Sequence, residues 1–205
     1  MQAQATKEKK LGPPRSSAWI RWICKVYLKI AGWEIEGELP QAPKMVLIFA
    51  PHTSNWDGFY MIPAALAFGL RPNFLGKKEL FWGPLGPFMR WLGGIPVDRK
   101  VKMDLVTQMA EAIEARDQVV LGIAPEGTRS RKDYWKSGFY HIALKAGVPL
   151  SFGYLDYQRK CAGFDKGIEL SGDVDKDLAL IRQFFAKIPA KYPEKVGKVA
   201  FRPQT

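Results

Sequence analysis

The sequence is poor in the residues that build metal centres and disulfide frameworks. Its two cysteines, Cys24 and Cys161, lie far apart and match neither a CxxC motif nor a metal spacing, which points to a reduced, intracellular protein. Two histidines, His52 and His141, are too few and too distant for a zinc site, so no metal and no cofactor is expected. No apolar run approaches the ~18 residues of a spanning helix, and the apolar stretch after residue 17 is too broken by charge for a signal-peptide core. A Gly-x-Ser-x-Gly elbow is absent, which argues against a serine hydrolase. Walker and GxGxxG loops are absent too, which argues against a nucleotide site. There is no internal repeat and no low-complexity tract.

What is present describes a globular chain with a strong positive balance. At 205 residues with 47% apolar and 25% charged residues, it suits one domain with a full core. The net charge of +11 (31 basic minus 20 acidic) favours a polyanionic partner: nucleic acid, an anionic membrane or a phosphorylated substrate. No nucleic-acid motif accompanies the charge, so nucleic acid is not expected.

Residues 1–16 are polar, with Lys7, Lys9, Lys10, Pro13 and Pro14, and read as a disordered arm. Residues 17–33 have helical periodicity. Arg21, Lys25 and Lys29 recur every four residues as a basic stripe. Trp19, Ile20, Ile23, Val26, Tyr27 and Ile30 cover most of the remaining circumference, and Trp22 and Trp33 fall at its border. Such a helix is either a domain helix with a solvated stripe or an amphipathic foot lying in the interface of an anionic membrane. Residues 81–92, Phe-Trp-Gly-Pro-Leu-Gly-Pro-Phe-Met-Arg-Trp-Leu, combine breakers with aromatics and read as a buried loop or an apolar lip around a binding site.

The remainder, 34–205, reads as one α/β domain. Strands are expected at Met45–Ala50, Asn73–Gly76, Ile95–Val97, Val119–Ala124, Pro149–Leu155, Gly167–Leu170 and Val199–Phe201. Helices are expected at Phe59–Leu70, Lys102–Arg116, Gly138–Ala146 and from an Asp173 cap to Ile188. This alternation predicts a mixed or parallel sheet covered by helices, with functional loops at strand ends.

Two strand-end segments carry the chemistry. His52 follows the Met45–Ala50 strand, and Asp57 stands five positions later in the first turn of the next helix, with Ser54 or Asn55 as its cap. A carboxylate folded back across that turn can hold one ring nitrogen protonated and leave the other as a base. The alternative is a turn closed by His52 and a helix capped by Asp57. Downstream, Glu126-Gly127-Thr128-Arg129 follows the Val119–Ala124 strand. There Gly127 permits positive φ, and Arg129 can bind phosphate bidentately. His141 lies on an amphipathic helix and reads as structural.

The order and spacing of these segments resemble the glycerolipid acyltransferases, the 1-acylglycerol-3-phosphate acyltransferase-like proteins of the lysophospholipid acyltransferase superfamily. Gly94-Ile95-Pro96-Val97-Asp98-Arg99 and Gly147-Val148-Pro149-Leu150 are similar to two further blocks of that family, as are Lys136 and Gly138. The likeness spans about residues 45 to 155. It implies an O-acyltransferase that moves a fatty acyl group from a thioester, acyl-CoA or acyl carrier protein, to a glycerophosphate or lysophospholipid hydroxyl. His52 and Asp57 would then be the catalytic pair. Arg99, Glu126, Gly127, Thr128 and Arg129 would bind the acceptor's phosphate, and Pro149 would shape the acyl site. It also implies a lysolipid acceptor and a place on the cytoplasmic face of a membrane. The family usually has Asn before the motif histidine where Pro51 stands here. That departure leaves open an acceptor without phosphate, such as a lyso-ornithine lipid. A non-catalytic lipid-binding protein of the same fold is the remaining alternative, and it would tolerate loss of His52.

Overall fold

Parallel strands with apolar residues on both faces need helices on both sides, and a computed structural model of the chain shows that arrangement. It describes residues 12–91, 93–97 and 105–202. In chain order the elements are α1 (Ala18–Ile30), β1 (Glu34–Gly37), β2 (Lys44–Phe49), α2 (Trp56–Phe68), β3 (Phe74–Lys77), α3 (Leu85–Trp91), β4 (Gly94–Val97) and α4 (Leu105–Glu114). There follow β5 (Val119–Ile123), α5 (Gly138–Ala146), β6 (Leu150–Asp156), β7 (Cys161–Ile168) and α6 (Val174–Phe185). The main sheet has the order β1-β7-β6-β2-β5. Only the β6–β7 hairpin is antiparallel; β1–β7, β6–β2 and β2–β5 are parallel. A second pair, β3–β4, is parallel and joins β5 through an Asn73–Leu121 bridge.

The central strand β2, Lys-Met-Val-Leu-Ile-Phe, shows how the layers form. Alternate side chains of a strand point to opposite faces. Met45 and Leu47 enter a cluster with Leu28 of α1 and Met61, Ala64 and Ala65 of α2. Val46 and Ile48 enter the opposite cluster with Met109 and Ile113 of α4, Phe139 and Ile142 of α5, and Leu178 and Ile181 of α6. Helix ends follow their punctuation. Gly69 and Gly147, both in the left-handed region, stop α2 and α5. The Asp173 carboxylate accepts from the amides of Asp175 and Lys176 to start α6.

The fold class is the expected one, with corrections at the margins. Strand β7 runs eight residues where only Gly167–Leu170 is expected, and β1 pairs outside it at the sheet edge. Both are missed because Gly163, Asp165, Lys166 and Gly167 interrupt the apolar pattern of β7, and because β1 is a four-residue acidic edge strand. Residues 199–201 form only a Trp135–Phe201 bridge. Residues 85–91 are helical. Of the expected arm, residues 1–11 lie outside the described residues, and residues 12–16 dock against the end of α2. There the Ser16 amide donates to the Gly69 carbonyl at 3.0 Å and its hydroxyl to the Leu66 carbonyl at 2.7 Å. The start of the expected helix at residue 102 and the end of the 81–92 segment, Leu92, also lie outside the described residues.

Helix α1 packs on α2 through Arg21, Cys24 and Leu28 and turns Trp19, Trp22, Ile23, Val26, Tyr27 and Ile30 outward. Trp33 is not at the border of that face. The helix ends before it, Gly32 turns the chain with φ of 73°, and Trp33 swings under the domain. Only 6% of it is exposed, and it stacks on Tyr60 at 4.5 Å with Tyr157 edge-on at 5.2 Å. Trp33→Ala should therefore cost ~3–5 kcal/mol in urea unfolding, far more than Trp22→Ala on the outward face. Equal losses for the two would show that Trp33 is not a core residue.

Candidate active site

Strands β5, β2 and β6 are parallel neighbours, so their C-terminal ends meet at one sheet edge, where open α/β sheets place their loops and ligands. Three segments arrive there together: Glu126 after β5, His52 to Asp57 after β2, and Tyr157 after β6.

The turn from β2 into α2 is organised around the Asp57 carboxylate. Its Oδ2 accepts from His52 Nδ1 at 2.9 Å, the Thr53 amide at 2.8 Å and the Ser54 amide at 2.9 Å. Its Oδ1 accepts from the Tyr157 hydroxyl at 2.6 Å. The Ser54 hydroxyl accepts the Trp56 amide at 3.1 Å, while Asn55, the N-cap residue of α2, makes no side-chain cap bond. On the other side, the His52 amide donates to Glu126 Oε1 at 3.0 Å, and the Thr53 hydroxyl accepts from the Tyr192 amide. The Ala50–Pro51 peptide is cis. With Nδ1 facing a carboxylate, the proton belongs on that nitrogen and Nε2 is left unprotonated, ready to accept.

Burial sorts the two carboxyls. Burial pushes the Asp57 carboxyl up, but the hydrogen bonds from His52, Tyr157 and the Ser54 amide outweigh it and hold it below the usual carboxylate range. It stays an anion beside the imidazole, with its side chain 7% exposed against 26% for His52. Glu126 goes the other way. Burial pushes it up to about 7, against the bonds from its own and the His52 amide. Its Oε2 is buried without a hydrogen-bond partner among the described residues.

The pair forms part of the wall of an apolar cavity of about 500 Å³, lined by Phe49, Met61, Ile62, Ala65, Phe74 and Leu155 with Gly122 on its β5 side. That volume falls within the ~300–1,000 Å³ usual for small-ligand sites. A base at the wall of an apolar cavity can take a proton from a hydroxyl while an alkyl chain is held out of water. Among the described residues no cluster of His, Cys, Asp and Glu is arranged to hold a metal ion.

Of the residues singled out in the sequence, His52, Asp57 and Glu126 come together. Glu126 anchors the His52 backbone instead of facing outward toward an acceptor. Gly127 takes a left-handed φ of 63°, and the Lys136 side chain lies close against it, where a Cβ would meet it at 2.7 Å. Thr128 accepts the Ser130 amide, and Arg129 is exposed on the rim of the same turn. Arg99 lies outside the described residues. Pro149 is not brought to this edge. It enters β6 at the opposite end of the sheet, where its carbonyl takes the Val46 amide. His141 is an exposed residue of α5 beside Tyr140. Sequence reasoning overlooked Tyr157 and Tyr192. Tyr157 carries one usable signal, its position just past the end of a strand parallel to β2.

Comparison with known proteins places this arrangement in a class. The Acyltransferase family model matches residues 33–151, more than half of the chain, including His52, Asp57 and Glu126 but not Leu155, Tyr157 or Tyr192, and the chain belongs to that family. Among individual proteins it is 27% identical over 166 residues to the 1-acyl-sn-glycerol-3-phosphate acyltransferase of Streptococcus pneumoniae, an alignment that covers 70% of this chain. The chain spans about 60% of the length of that relative. The crystal structure of the 1-acyl-sn-glycerophosphate (LPA) acyltransferase PlsC from Thermotoga maritima has the same fold. It superposes with a TM-score of 0.57 at 18% identity, over 85% of this chain and 80% of that one.

The raised Glu126 carboxyl has a consequence for stability. An acid with its folded pKa near 7 and its unfolded pKa near 4.5 imposes no cost below the lower value and a growing cost as pH rises through the upper one. Glu126→Gln keeps an oxygen for the His52 amide and cannot ionise. Relative to wild type it should gain ~1–3 kcal/mol between pH 5 and 8. A stability difference that stays flat in urea unfolding over that range would refute the buried, proton-retaining carboxyl.

Proposed function

We propose that this protein is an O-acyltransferase that acylates the free hydroxyl of a 1-acylglycerol-3-phosphate-type lysolipid from an acyl thioester, acyl-CoA or acyl carrier protein. The observation that carries the reading is the 2.9 Å His52–Asp57 bond in the wall of an apolar cavity. Family membership and the named relatives support the reaction class.

In this reading Asp57 keeps the proton on Nδ1, and Nε2 removes the proton from the acceptor hydroxyl as its oxygen attacks the thioester carbonyl. The tetrahedral intermediate collapses with cleavage of the C–S bond. The leaving sulfur recovers the proton from Nε2, giving an ester and a free thiol and returning the imidazole to its starting state. The cavity takes acyl chain. Arg129, with Arg99 and the turn at Gly127 and Thr128, meets the acceptor's phosphate, because a guanidinium suits bidentate phosphate contact. The decisive assay uses lysophosphatidate and an acyl thioester, with released thiol as readout. Folded His52→Ala should lose ~10²–10⁴-fold in kcat, and near-normal turnover would defeat the mechanism and leave a lipid-binding protein of the same fold.

The reaction is proposed to occur on the cytoplasmic face of a membrane, with α1 as an interfacial foot. No described helix is long and apolar enough to cross a membrane. The outward face of α1 bears Trp19, Trp22 and Ile30, exposed by 63%, 66% and 83%, and the exposed Lys25 and Lys29 flank it. Tryptophan and cationic side chains on one helix suit insertion among anionic head groups. At ~1 kcal/mol per cation near the surface, Lys25→Gln with Lys29→Gln should weaken sedimentation with phosphatidylserine vesicles by ~30-fold at low salt. The loss should shrink at high salt. Unaltered vesicle binding by the double variant would make the stripe a solvated face only.

A further inference from the structure

The assigned pair leaves one strong contact unused. Asp57 Oδ2 serves the His52 ring and two amides, while Oδ1 is taken by the Tyr157 hydroxyl at 2.6 Å. Tyr157 is the first residue after β6, set beside β2 by the parallel β2–β6 pairing. Its ring has little freedom. Trp33 meets it edge-on at 5.2 Å, Tyr60 at 6.4 Å, and the Lys191 ammonium lies 5.6 Å from its centroid. A hydroxyl fixed in this way holds one oxygen of a carboxylate still and draws on its charge.

We propose that Tyr157 is a positioning residue, which holds Asp57 in line with His52 and, by donating to Oδ1, tempers how strongly Asp57 favours the protonated imidazole. The proposal rests on the reading of His52 as the base and adds a third member to the relay. Burial, then the Asp57 carboxylate, pushes the phenol well above its ordinary range, so it remains a donor at every working pH. The other titratable or charged groups facing this pair are Glu126 from the β5–α5 turn, Tyr60 from α2, and Lys191 and Tyr192 from the segment after α6.

The sign follows from the geometry. Without the phenol donor the Asp57 charge is less shared, so the Nδ1–H···Oδ2 bond strengthens and imidazolium is favoured. Tyr157→Phe removes only the hydroxyl and keeps the ring against Trp33 and Tyr60. The chain has two histidines, so a His141→Asn background leaves the His52 ring alone in a nitrogen-15 imidazole NMR titration. Tyr157→Phe in that background should carry the His52 ring signals toward those of imidazolium at a given pH. It should also move the acidic limb of kcat/KM upward and lower kcat by about 10-fold or more, with acceptor KM little changed. The ring titration reads His52 directly, which separates it from Glu126 titrating near 7. His52 ring signals that stay put or move the other way, or a kcat within twofold of the parent, overturn the proposal. His52→Ala is run alongside. If that variant turns over normally the base assignment fails, whereas a dead His52→Ala with an unmoved ring in Tyr157→Phe removes Tyr157 alone.

Discussion

One buried carboxylate organises the active edge of this protein. Asp57 gathers a ring nitrogen, two backbone amides and a phenol around two oxygens, and the donors come from the turn after β2 and the turn after β6. A charge removed from water needs this many partners, since an unpaired one would cost several kcal/mol. The requirement runs in both directions. The carboxylate needs the loop, and the loop owes its shape to the carboxylate. The His52 backbone is then secured from the far side by a second acid, Glu126, which burial drives toward its neutral form. Two acids in one site thus take opposite states, one charged to orient a base and one tending to neutrality beneath its main chain.

This convergence depends on strand direction. Because β5, β2 and β6 run the same way, the residues after each of them emerge together, although 74 positions separate His52 from Glu126 and 100 separate Asp57 from Tyr157. The antiparallel β7 returns the chain to the opposite edge. Pro149, which precedes β6, shows the same rule from the other side, since the start of a strand parallel to β2 lies at the wrong edge to reach the site.

Much of this was legible in the residues. The apolar runs of β2, β5 and β6 stand out because strands buried on both faces have no polar alternation to blur them, and α5 and α6 carry clear stop and start signals in Gly147 and Asp173. The five-residue spacing of His52 and Asp57 suited a closed turn and a capped helix as well as a catalytic pair, and it was the Glu126-Gly127-Thr128-Arg129 segment and the resemblance it carries that favoured the pair. What remained hidden depended on strand order. Tyr157 is one aromatic among many until β6 is known to lie beside β2. Trp33 shares the helical period of α1 yet belongs to the core, because a single glycine turn redirects it. Strand β1 has no signal of its own, since its four residues are acidic and edge-bound and are held by pairing with a β7 that is itself irregular in composition.

The contact between the Tyr192 amide and the Thr53 hydroxyl spans 139 positions, and Lys191 lies among the rings of Trp56, Tyr157 and Tyr192. The turn that carries His52 is thus finished by a segment that follows α6. A nascent chain long enough to form β2 and α2 holds the motif but not its closing contacts. Competence at this edge consequently waits until the segment after α6 has been made and has folded back onto the turn.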